Sequence, residues 1–120
     1  MAVSSKIQQA GKHNVDILIV PASDWKEMTL IATKTAIVRG VENGSNIIRH
    51  TNKGISIASD FKGNVLAYTN YFQSDTKTLS AQVMMKGRFT LYSYIGNLFV
   101  YLCNIYLLGK FIIPKIKRLL

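Results

Sequence analysis

The chain has 120 residues, which is room for one domain, and 48% of them are hydrophobic. Its fifteen Lys and Arg outnumber six Asp and Glu for a formal net charge of +9, but they are scattered and accompany no RNA-reading motif or recognition-helix pattern, which argues against nucleic acid as a partner. A single cysteine, Cys103, excludes an internal disulfide framework and a cysteine-based zinc site, and residues 1–14 lack the apolar stretch of a signal peptide.

The first third of the chain predicts a helix, a strand and a second helix. Residues 4–12 are typical of a helix that ends near Gly11. The unbroken apolar run "DILIVP" at 16–21 predicts a strand of parallel type, buried on both faces. Residues 29–43 form the strongest helix pattern, closed by Gly44. This helix has two apolar faces, one of them a stripe of small residues, so we expect it to be covered on both sides.

Four strand patterns follow. "NIIRHT" at 46–51 and "ISIASD" at 55–60 flank the turn signal Asn52-Lys53-Gly54, and "NVLAY" at 64–68 follows a second tight turn. "TLSAQVM" at 78–84 alternates apolar and polar residues. Together these patterns predict one layered α/β unit.

The C-terminal residues predict a membrane-spanning helix. Residues 92–109 carry no charge, and extension to Pro114 gives the length of about 20 residues that a span needs. Tyr92 and Tyr94 suit an interfacial belt, and the basic cluster "KIKR" at 115–118 suits a cytoplasmic flank. The alternative is a buried C-terminal helix of a soluble domain. We therefore divide the chain into an α/β part, residues 1–88, and a membrane helix with a basic cytoplasmic tail, residues 89–120.

Three stretches carry a resemblance to a known family: "ILIVPASDW" (17–25), "RGVENGSNIIRHTNKGISIASDFKGNVLA" (39–67) and "TLYSYIGNLF" (90–99). They resemble the C-terminal part of the apolipoprotein N-acyltransferases, membrane enzymes of the nitrilase, or carbon–nitrogen hydrolase, superfamily. The resemblance implies a partial nitrilase-like α-β-β-α sandwich outside the cytoplasm, on the bacterial inner membrane, followed by one transmembrane helix.

The resemblance also implies a reaction and its partners. In this family a Cys nucleophile, a Glu base and a Lys transfer an acyl chain from membrane phospholipid to the N-terminal Cys of a diacylated lipoprotein, in lipoprotein maturation. None of the three is expected in this chain, because all would lie upstream of Met1, and Cys103 sits in an apolar helix where it behaves as a small apolar group. We therefore expect no catalytic residue, metal or cofactor here, and an upstream half of the same enzyme as a possible partner. The alternatives are a fragment of a soluble-type nitrilase-superfamily amidohydrolase and a non-catalytic remnant.

Site residues follow from the same resemblance. Asp24 and Trp25 match a loop beside the family's active cysteine and are the candidates for lining the pocket, although an Asp that caps the next helix and a packed Trp would look the same. Five residues are expected to be structural and near the site, the first three as a buried helix-end cluster that pairs internally: Arg39, Glu42, Asn43, Asn52 and Gly54.

Overall fold

The computed structural model describes the backbone of residues 2–120 and the side chains from residue 6 onward. In chain order its elements are α1 (Ala2–Lys12), β1 (Ile17–Ala22), α2 (Thr29–Asn43), β2 (Asn46–Thr51), β3 (Ile55–Ser59), β4 (Val65–Asn70), α3 (Leu91–Ile95) and α4 (Leu98–Leu119). A mixed sheet with helices, followed by a helix long and apolar enough to span a membrane, confirms the predicted fold class.

The four strands form one sheet in the order β1-β2-β3-β4. β1 and β2 are parallel, with α2 as the crossover between them, whereas β2, β3 and β4 are antiparallel neighbours. Side chains alternate across a strand, so the sheet has two distinct faces. The helix face carries Ile47 and Arg49, which contact α2. The opposite face, called the open face below, carries Ile48 and His50.

The strand β1 is parallel as predicted, but the expectation that it is buried on both faces is wrong. Among the described residues β1 has a neighbour on one edge only, and Ile19 is 69% exposed. Pro21 lies inside β1, and a residue without an N–H is tolerated on such an edge strand. The apolar run indicates that both faces of β1 favour burial, but the described residues cover only part of its surface.

The helix α2 has the predicted bounds and ends at Gly44, which adopts the left-handed conformation with φ of 67°. The small-residue stripe is packed, because a Cβ on Gly40 would collide with Ile47. The other apolar face is exposed, including Ile31 and Val38. The expectation that α2 is covered on both sides is therefore wrong for the part of the chain that the structure describes.

Residues 71–90 contain no strand, so the prediction of a strand at 78–84 is wrong. The segment instead crosses the open face. At one end Lys77 lines a cavity with His50, and at the other end the buried Asn46 donates hydrogen bonds from Nδ2 to the carbonyls of Met84 and Lys86, at 2.9 and 3.1 Å. Leu79 and Val83 of the alternating pattern are half-buried and Ala81 is exposed, so the pattern did not require a paired backbone.

The C-terminal helix differs in detail from the prediction. Gly96, with φ of 57° and ψ of −130°, separates the short α3 from α4. α4 has 22 residues, about 33 Å of helix, and none of its side chains is buried in the molecule. This exposure excludes the alternative of a helix packed inside the described domain. The division at residue 88 stays a prediction.

Candidate functional site

A buried ion pair fixes the loop after β1, at the carboxyl ends of the two parallel strands. Arg49 Nη2 lies 2.6 Å from Asp24 Oδ1 and 2.8 Å from Oδ2. The two side chains are only 5% and 9% exposed. Because a buried charge needs a partner, each residue requires the other in place.

Thr29 connects this ion pair to the turn between β2 and β3. Its hydroxyl donates to Asp24 Oδ2 at 3.0 Å and accepts the backbone N–H of Ile55 at 2.8 Å. Gly54 completes the arrangement, since a Cβ there would collide with the Thr29 hydroxyl and crowd Asp24. Both oxygens of Asp24 therefore accept hydrogen bonds within the molecule, which gives this carboxylate a structural role.

Two residues near the ion pair, Trp25 and Asn52, have exposed side chains. Trp25, next to Asp24, is 80% exposed, so its indole is free to contact a further surface or a ligand. Asn52 is also exposed, and its backbone N–H donates to the carbonyl of Ala22 at 3.2 Å, which attaches the turn to the end of β1. The structure thus brings Asp24, Trp25, Asn52 and Gly54 to one end of the sheet.

The helix-end cluster lies at the other end of α2. Arg39 Nη1 donates to Glu42 Oε2 at 2.8 Å, and this hydrogen bond raises the pKa of Arg39 above its ordinary value. The two side chains are 31% and 29% exposed, so the expectation of a buried charge pair is wrong here. Asn43 is buried and donates from Nδ2 to the carbonyl of Arg39 at 2.8 Å. About 20 Å of helix separates this cluster from Asp24.

The cluster binds the segment that leads to α4. The carbonyl of Gly44 accepts the N–H of Arg88 at 2.6 Å, and the carbonyl of Glu42 accepts the hydroxyl of Thr90. The guanidinium of Arg39 also donates to the hydroxyl of Tyr92 at 3.4 Å. We call this end of the unit the α4-proximal rim. Its polar groups satisfy the last carbonyls of α2 and fix the segment that leads into α4.

An open groove of about 820 Å³ lies between α1 and α2, over the helix face of β1 and β2. Most of its lining is apolar, with Ile31 and Ile47 as examples, and Arg39 and Asn97 contribute polar groups. No thiol or carboxylate lines it among the described residues. The groove therefore offers binding walls without a nucleophile.

Cys103 is exposed on α4, far along the chain from every Asp and Glu, of which Asp75 is the last. Across residues 6–120, no three His, Cys, Asp or Glu side chains converge as a metal site would require. The described residues hold no thiol with a neighbouring base, so they contain no arrangement for acyl transfer through a cysteine thioester.

Sequence reasoning missed two residues that organise this structure. Arg49 follows Ile47 by two positions in β2, so it points to the same buried face and needs an acidic partner. Asp24, at the end of the neighbouring parallel strand, was the available one. Asn46, which is fully buried, carried no comparable signal, because the partners of its side chain are backbone groups from separate parts of the chain, at Asp16, Phe61, Met84 and Lys86.

The described fold defines an α/β protein that carries a helix long and apolar enough to cross a membrane. The chain is similar to apolipoprotein N-acyltransferase 1 of Treponema denticola, with 34% identity over 73 residues. The matched region covers 61% of this chain and 13% of that relative, so the relationship is distant and partial. No family model and no solved structure matches the chain at a significant level.

Proposed function

We propose that this chain is the C-terminal part of a membrane N-acyltransferase of the apolipoprotein type. The observation that carries the proposal is the similarity to the Treponema denticola protein. The exposed apolar helix α4 supports it, because an enzyme that takes acyl chains from phospholipid works at a membrane. The proposed reaction moves an acyl chain from phospholipid to the N-terminal cysteine amine of a diacylated lipoprotein.

The nucleophile and its base are proposed to come from polypeptide outside these 120 residues. Thioester formation needs a thiol that is activated by a neighbouring base, and Cys103 has no such base within the described residues. This chain contributes the Asp24–Arg49 ion pair that fixes the loop of Trp25, the walls around that loop and the membrane helix. Alone, it forms no thioester and transfers no acyl group.

Co-expression tests whether the nucleophile and its base come from an upstream polypeptide. Membranes that contain the chain are incubated with labelled phospholipid and a diacylated lipoprotein peptide, with and without an upstream half that bears the Cys, Glu and Lys. We expect triacylated product only when both halves are present. Cys103→Ala should leave that product unchanged. Label on Cys103, or product from the chain alone that this substitution abolishes, would refute the proposal.

The membrane arrangement has its own test. We propose that α4 crosses the bacterial inner membrane with the α/β part outside the cytoplasm and the basic cluster at 115–118 inside. A reporter fused after Leu120 should be active only in the cytoplasm. Replacing the three basic residues of the cluster with Gln should weaken this orientation, and recovery of the chain in the soluble fraction after carbonate washing would contradict insertion.

A further inference from the structure

A second cavity, of about 200 Å³, opens on the open face at the carboxyl end of β2. Residues from three strands and the following loop line it. Apart from Gly54, every lining residue has a side chain that can hydrogen bond, and no carboxylate is among them: His50, Thr51, Asn52, Ser56, Thr69, Tyr71 and Lys77. A polar hollow without an acidic group favours an anion as its ligand.

The imidazole of His50 is oriented by the sheet beneath it. Ser56 Oγ accepts the backbone N–H of Thr51 at 3.0 Å and lies 3.2 Å from His50 Nδ1. When the Ser56 hydroxyl donates to Nδ1, the ring proton must sit on Nε2. In that tautomer Nε2–H is a donor that Ser56 does not occupy.

The ammonium of Lys77 supplies a charge whose position is set by an aromatic ring. Lys77 Nζ lies 4.5 Å from the centroid of the Tyr71 ring, and the N–H of Tyr71 is bonded to the carbonyl of Gly54 at 3.0 Å. No ion pair joins Lys77 to a carboxylate within the described residues. The charge is therefore available to a ligand.

The charged side chains near the cavity favour an anion as its ligand. Asp24 lies beyond Gly54 on the other side of the turn, and Arg49 already neutralises it. Lys53 is exposed on the turn itself. Asp75 is exposed two residues before Lys77 and does not line the cavity.

We propose that this cavity binds a phosphate group, as a monoester or a diester. A tetrahedral oxyanion accepts from several directions, and the cavity offers an ammonium, an imidazole N–H, an amide and hydroxyls around one hollow. The shared chemistry fits a soluble phosphate compound and a phospholipid headgroup alike. The proposal stands on these contacts and does not require acyl transfer by the chain.

Titration of the full chain in neutral detergent micelles tests the site. The probe is inorganic phosphate at constant pH, with chloride at matched ionic strength as the reference, followed by nuclear magnetic resonance of the His50 ring and the Asn52 amide. Lys77→Gln removes the lining charge. Lys34→Gln removes another exposed lysine, on α2, and serves as the matched control.

We expect saturable shifts at His50 and Asn52, weakened by about fivefold or more in Lys77→Gln and by less than about twofold in Lys34→Gln. His50→Gln should also weaken binding, and unchanged signals elsewhere show that each variant is folded. Equal shifts with chloride, equal losses in both lysine variants, or no saturable shift would overturn the proposal. Competition experiments then distinguish a soluble phosphate compound from a phospholipid headgroup. If the ligand is soluble, glycerol 3-phosphate should compete with inorganic phosphate; if it is a headgroup, micelles doped with phosphatidylglycerol should compete.

Discussion

Replacing Asp24 with alanine should destabilise the α/β unit far more than replacing Glu42. Both substitutions remove a carboxylate that pairs with an arginine at about the same distance. The environments differ, because Arg49 is buried beneath α2 and Arg39 is about one-third exposed. After Asp24→Ala, the guanidinium of Arg49 keeps only two weak contacts, at 3.4 Å to the Thr33 hydroxyl and the carbonyl of Ile55.

The expected magnitudes follow from this difference. Removing one partner of a buried pair costs about 3–5 kcal/mol, since the other charge is left uncompensated. Glu42→Ala should cost about 0.3–0.5 kcal/mol, the usual contribution of a partly exposed pair on a helix. Because small domains are stable by only about 5–15 kcal/mol, Asp24→Ala should remove a large part of the total.

Urea unfolding of the chain in neutral micelles, followed by circular dichroism, measures both effects. The double substitution Asp24→Ala with Arg49→Met should recover part of the lost free energy, because it removes the orphaned charge as well. Equal midpoints for Asp24→Ala and Glu42→Ala would refute the reasoning. A double variant no more stable than Asp24→Ala would assign the loss to packing instead of charge.

Three further outcomes are expected. Asn46→Ala should lower the free energy of unfolding by about 1–3 kcal/mol, because the carbonyls of Met84 and Lys86 lose a buried donor. Trypsin should then cleave faster after Lys86, and an unchanged cleavage rate would contradict this expectation. Gly44→Ala should lower the free energy of unfolding by at least about 1–2 kcal/mol, because φ is 67° and a Cβ would collide with the carbonyl of Arg88. In the same urea assay Gly109→Ala should leave it unchanged, because a Cβ there meets nothing within 4 Å. Hydrogen bonds from Asn64 lower the pKa of Asp60 below its ordinary 3.8. The stability that the ionised carboxylate adds to the turn is therefore present above that pH and is lost as the pH falls through the pKa of the folded state. Amide chemical shifts followed as a function of pH should show this transition in the natural chain and not in Asp60→Asn.

The strands and helices that have local signals were predicted well. α2 was predicted from Thr29 to Asn43 because its apolar spacing and Gly44 lie within one stretch of chain. β2, β3 and their turn followed from strand patterns around Asn52-Lys53-Gly54. Such features depend on residues that are neighbours in sequence, which is why periodicity and turn chemistry find them.

The failures concern tertiary context. The alternation at 78–84 is real, yet whether such a segment pairs or lies across a face depends on what Asn46 binds far away in the chain. The exposure of Arg39 and Glu42 likewise depends on how much surrounds the end of α2. For the site, the sequence pointed to Asp24, but its engagement by Arg49 and Thr29 requires three elements to be placed together.

The α4-proximal rim has a consequence for the order of synthesis. A ribosome makes β1 and α2 long before residues 84–90, yet the carbonyls of Glu42 and Gly44 and the side-chain amide of Asn46 each have a hydrogen-bond partner in that later stretch. The polar groups between the end of α2 and the start of β2 therefore lack part of their hydrogen bonds until the residues directly before α4 have emerged. Formation of these bonds and emergence of α4 are then consecutive events at one point of the chain, and a nascent chain halted before residue 84 should remain open to proteases.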